Sequence, residues 1–136
     1  AGDRFCVRNS GALAIVEGCG ANGCEYMTGG EAVILGDIGD NFGAGMTGGS
    51  AFIYSNQKNF IDMMNKETIQ AYQIVDSRWK EYLFNLLESF TKETGSKRSS
   101  YIIENFDHEI SKFAHIVPNE VINKLAYPVT EQHKIA

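Results

Sequence analysis

The chain has 136 residues, 43% of them apolar and 21% charged, a composition that fits one globular unit and excludes a disordered or fibrous polymer. A formal net charge of -5 excludes a phosphate-tracking surface, because nucleic-acid binders need clustered Lys and Arg. Three cysteines, Cys6, Cys19 and Cys24, are too few for a disulfide-stapled secreted scaffold, and no apolar run is long enough to span a membrane, so the expectation is a cytoplasmic protein with neither nucleic acid nor membrane as partner.

In chain order, the first half is set apart by glycine: 13 of the 14 glycines lie at or before Gly49, so two architectures are joined. The Gly-rich half repeats itself. Arg8 to Val16 aligns with Met27 to Leu35 and with Met46 to Tyr54, each time at an offset of 19 residues. Gly11, Gly30 and Gly49 share one column and Ile15, Ile34 and Ile53 another, while Met27-Thr28-Gly29-Gly30 recurs as Met46-Thr47-Gly48-Gly49. Each unit ends in a short β-prone run after a glycine. A unit this short cannot bury its own apolar face, so the units should stack as coils whose strands pair in parallel about 4.8 Å apart. The expected fold is therefore mainly β: a right-handed parallel β-helix of three 19-residue coils over residues 1–58. Ile15, Ile34 and Ile53 would form the coil core, and Gly11, Gly30, Gly49, Gly36, Gly39 and Gly43 would turn the coils. The alternate face, with Val33, Leu35, Phe52 and Tyr54, is apolar too and needs an external cover.

Residues 59–78 read as a connector in which Phe60, Met63 and Met64 fit the start of a helix and Thr68 to Val75 fit a strand. Residues 79–136 read as an α-helical tail packing on the coils. Trp79, Leu83, Leu86, Leu87 and Phe90 form one helical stripe, placed to cover the alternate face. Ser77 is the expected N-cap and Gly95 the stop. Ser96 would cap a second helix carrying Ile102, Ile103 and Phe106, which Ile110 and Phe113 continue or restart after Asp107 until Pro118 breaks it, with a last turn from Asn119 to Leu125.

Several motifs resemble chemistry without its context. Gly18 to Gly23 and Gly43 to Gly48 both satisfy G-x-G-x-x-G, but the second runs into a strand, whereas a pyrophosphate needs the N-terminus of a helix. Asp37 and Asp40 do not recur at the repeat offset, which argues against a calcium-binding roll. Cys19 and Cys24 lack further ligands in sequence view, so neither a metal nor a cofactor is expected in this chain. His108, His115 and His133 have no paired nucleophile and read as solvated tail residues.

The stretch Gly2 to Ala12, with Val16-Glu17-Gly18, Gly23 to Gly30 and Asn41 to Gly49, resembles the C-terminal domain of glutamate synthase large subunits. That domain is named for glycines spaced as Gly36, Gly39 and Gly43 are here. Glu17 and Cys24 depart from the pattern, standing one unit earlier where Gly36 and Gly43 stand. The resemblance implies a structural piece of an enzyme that combines glutamine, 2-oxoglutarate and reductant into two glutamates. The partners it implies are the amidotransferase and FMN-binding domains of the parent subunit and the small reductase subunit, with FMN and an iron-sulfur cluster held in other domains. Ala1 in place of an initiating methionine fits an excised fragment, and an unpaired first coil edge predicts self-association of the isolated chain. A stand-alone interaction module, as in formylmethanofuran dehydrogenase, is the alternative.

Overall fold

The computed structural model describes residues 10–16, 23, 28–36, 38, 42–54, 64–65, 67–124 and 135. The three repeat units supply strands β1 (Ser10–Val16), β2 (Thr28–Ile34) and β3 (Gly48–Tyr54), which pair in parallel. Two further strands, β4 (Ile69–Gln73) and β5 (Phe113–Pro118), complete a five-stranded sheet in the order β1-β2-β3-β5-β4. β5 runs antiparallel to both of its neighbours.

That strand overturns the expected fold. The protein is not a mainly β, right-handed parallel β-helix with a tail; it is a mixed sheet with a helical layer on one face. Phe113 to Pro118 is a continuous buried run, and pairing it on both edges satisfies its backbone while both faces meet apolar neighbours. It occupies the edge of β3 on which a further parallel coil would stack. Residues 113–118 therefore belong to the sheet and not to a helical tail, and Pro118 ends a strand, where its missing N–H costs least.

The helical layer is α1 (Ser77–Thr94), α2 (Lys97–Glu104) and the single turn α3 (Phe106–Glu109), followed by the 3-10 turn Ile110–Lys112. Asp76, and not Ser77, caps α1: its carboxylate accepts from the Arg78 amide at 2.8 Å. Gly95 ends α1 in the left-handed conformation with its amide on the Thr91 carbonyl, and Ser96 caps α2 by accepting from the Ser99 amide.

Both faces of the sheet are covered. On one, Val33, Leu35, Phe52, Tyr54 and Phe113 meet Trp79, Leu83 and Leu87 of α1 and Ile102 of α2. Arg98 ties the layers together by donating to the Leu35 carbonyl at 2.6 Å. On the other, Ala32, Ile34, Ala51, Ile53 and Ile116 lie beneath Ile38, Phe42, Met46 and Met64 from the connecting segments. Among the described residues no helix is long and apolar enough to cross a membrane.

Candidate functional site

Three groupings carry the unusual chemistry of the fold, beginning with the glycine turns. Gly30 and Gly49 hold φ values of 81° and 77° at the starts of their strands. Gly43 has φ 77° in the turn before β3, and a Cβ there would lie 2.5 Å from Cδ1 of Ile69, so both backbone conformation and space require glycine. The turn is tied into its neighbours: the Gly43 amide donates to the Gly23 carbonyl at 2.8 Å, and the Thr68 hydroxyl donates to the Gly43 carbonyl at 2.8 Å. Phe42 bridges Met64 in parallel, with the Asn65 amide on the Phe42 carbonyl. Gly11 lies within β1 and Gly36 in the bend that follows β2. Gly39 falls outside the described residues, as do Cys6, Cys19, Cys24 and His133.

The isoleucine column is broken. Ile34 pairs with Ile53, but Ile15 pairs with Val33, because the register slips by one residue between Ser10 and Leu13. A one-residue slip moves a side chain to the opposite face. Ile34 and Ile53 accordingly sit in the core under the connecting segments, while Ile15 packs against the helix-side core.

The second grouping lies between sheet and helices. His115, read from sequence as solvated, is 1% exposed, stacked on Phe52 at 4.5 Å and met by the edge of Trp79 at 4.5 Å. Burial pushes its pKa down to about 3, so the imidazole is neutral, and its Nε2 has no hydrogen-bond partner among the described residues. The correction has a local cause: a histidine in a six-residue apolar run follows the run into the sheet. Nearby, the buried carboxylate of Glu109 accepts from Lys112 Nζ at 2.8 Å and from the Tyr54 hydroxyl at 3.0 Å. The Lys112 ammonium, with Tyr54 in support, holds the Glu109 carboxyl below its usual range against the cost of burial. Burial and the Glu109 carboxylate raise the Tyr54 phenol. Glu109 carried no signal in the sequence, since its place depends on β3 and the helical corner meeting.

The third is an open cleft of about 590 Å³ between α1 and the corner joining α2 to α3. Half-buried Phe84, Ile103 and Phe106 form its apolar floor, with Phe84 and Phe106 edge to face at 5.2 Å. His108, exposed as the sequence reading expected, lies at its mouth. Among the described residues no cluster of His, Cys, Asp or Glu has the geometry of a metal site.

The model of the GXGXG motif family matches residues 1–119. The chain is 43% identical over 120 residues to the NADH glutamate synthase of Schizosaccharomyces pombe, covering 88% of this chain and 6% of that protein. It is 43% identical to the ferredoxin-dependent glutamate synthase of Pyropia yezoensis, covering 90% of this chain and 8% of the relative. With the NADPH glutamate synthase large chain of Azospirillum brasilense the identity is 47%, over 95% of this chain and 8% of the relative. The chain thus spans less than a tenth of the length of the curated relatives it matches.

Proposed function

The chain belongs to the GXGXG motif family, and on that premise we propose that it is the non-catalytic scaffold portion of a glutamate synthase large subunit. One observation carries the reading: identity extends over 88–95% of this chain while the same match occupies only 6–8% of the relatives. A segment of that proportion is a part of such an enzyme and not a counterpart of the whole. The parent reaction combines glutamine, 2-oxoglutarate and reductant into two glutamates in the cytoplasm. An amidotransferase domain releases the ammonia, and a flavin domain with FMN and an iron-sulfur cluster adds it to the oxo acid.

The contribution of this chain is mechanical. Its sheet is covered on both faces, and two titratable groups shifted by their surroundings, His115 and Glu109, are closed off from any substrate at 1% and 0% exposure. A densely packed body resists deformation, which suits a brace between the amidotransferase and flavin domains. Relatives with three different named electron donors match at 43–47% identity, which supports a role independent of the donor.

The test is deletion of this segment from the parent subunit. Glutamine-dependent glutamate formation should be lost and recovered when the chain is co-expressed, while the chain alone turns over neither glutamine nor 2-oxoglutarate. Turnover by the chain alone, or full activity after deletion, would contradict the reading.

A further inference from the structure

Among the described residues, the cleft over Phe84, Ile103 and Phe106 is lined by the helical layer alone, and its charge is one-sided. Glu81, Glu104 and Asp107 stand exposed around it. Among the other acids of the layer, Asp76 pairs with Arg78 and Glu109 with Lys112, each at 2.8 Å, while Glu88 and Glu93 of α1 are exposed and do not line the cleft. Among the described residues the three rim carboxylates make no ion pair, and Lys80 is the one Lys or Arg that lines the cleft, beside the imidazole of His108. Glu104 is also the last residue of α2, where the helix dipole adds partial negative charge.

We propose that this cleft docks a basic segment of the same parent subunit, one that places an aromatic or aliphatic side chain on the Phe84–Ile103–Phe106 floor and Lys or Arg at the carboxylate rim. The proposal rests on the scaffold reading. Its chemistry follows from the surface: an apolar floor favours burial of an apolar anchor, and a rim of unpaired like charge favours a partner of opposite sign and disfavours acidic ones. Its source follows from coverage. More than nine-tenths of each relative lies outside the matched portion, and a covalently linked segment meets the cleft at high effective concentration.

The experiment uses the full-length parent subunit with p-benzoylphenylalanine at position 108, at the mouth of the cleft. Irradiation should yield a cross-link within one polypeptide, to a peptide carrying basic and apolar side chains. The paired charge reversals Glu104→Lys and Asp107→Lys, with unchanged circular dichroism, should cut the yield about fivefold, the scale of one or two rim charge pairs. A cross-link to a separate reductase subunit, to a second copy or to an acidic peptide overturns the proposal, as does no cross-link or a yield indifferent to charge reversal. Failure of the scaffold reading is visible separately, as the lack of any longer polypeptide that joins this chain to a flavin domain.

Discussion

The imidazole of His115 lies stacked on the ring of Phe52, centroids 4.5 Å apart and planes within 11° of parallel. The two residues are direct partners across the antiparallel pair β3–β5, and Trp79 of α1 meets the imidazole from above. This contact joins the end of the parallel ladder to the helical layer, so the protonation state of His115 bears on the stability of both.

The folded pKa of about 3 lies below the unfolded value of 6.5. Neutral His115 therefore contributes stability that is complete above pH 6.5 and is lost as pH falls from 6.5 toward 3. Between pH 6.5 and 5, before the carboxyl groups titrate, unfolding free energy should fall with a slope that steepens from about 0.7 to about 1.4 kcal/mol per pH unit. Urea unfolding of His115→Leu should show little slope in that window. A wild-type slope near zero there would mean that the imidazole meets water.

Tyr54 and Glu109 should behave as a coupled pair. Tyr54→Phe removes the donor at 3.0 Å from a buried carboxylate and should cost about 1.5–3 kcal/mol. Glu109→Gln in the Tyr54→Phe background should be less damaging than alone, with a coupling of about 1 kcal/mol in a double-mutant cycle. Additive effects would show that the hydroxyl is satisfied elsewhere.

Gly43→Ala meets two obstacles, the φ of 77° and the Ile69 Cδ1 atom at 2.5 Å. The expected loss is about 2–4 kcal/mol by chemical denaturation. Ile69→Val removes Cδ1, so it should recover part of the loss in the double variant while the backbone strain remains. Equal cost in both backgrounds would assign the whole effect to the backbone.

Trp79 is 6% exposed and touches both Phe52 and His115. Trp79→Ala should cost about 3–5 kcal/mol, measured by the shift in denaturant midpoint at constant m-value.

The repeat was readable because its columns carry a physical demand. Ala32, Ile34, Ala51 and Ile53 alternate with Val33, Leu35, Phe52 and Tyr54, and the structure places the two sets in opposite cores. The Trp79, Leu83 and Leu87 stripe was legible for the same reason, as a 3.6-residue period that must be buried somewhere. The direction of stacking beyond β3 was not legible. Ile110 and Phe113 continue a helical spacing, and only the tertiary competition for the open edge of β3 turns Phe113 to Pro118 into a strand. Ile15 was misplaced because a one-residue slip in β1 leaves no mark on the aligned columns. Histidine and glutamate carry a strong surface prior; the burial of His115 and Glu109 depends on partners distant in sequence, such as Phe52 and Trp79 for His115 and Tyr54 for Glu109.

The most direct measurement is size-exclusion chromatography with light scattering on the purified chain, alone and mixed with the amidotransferase and flavin portion of a glutamate synthase large subunit. A stable one-to-one complex that regains glutamine-dependent glutamate formation is the expected result. A chain that elutes unchanged beside that portion, with no recovery of activity, would contradict its role as a scaffold of the enzyme.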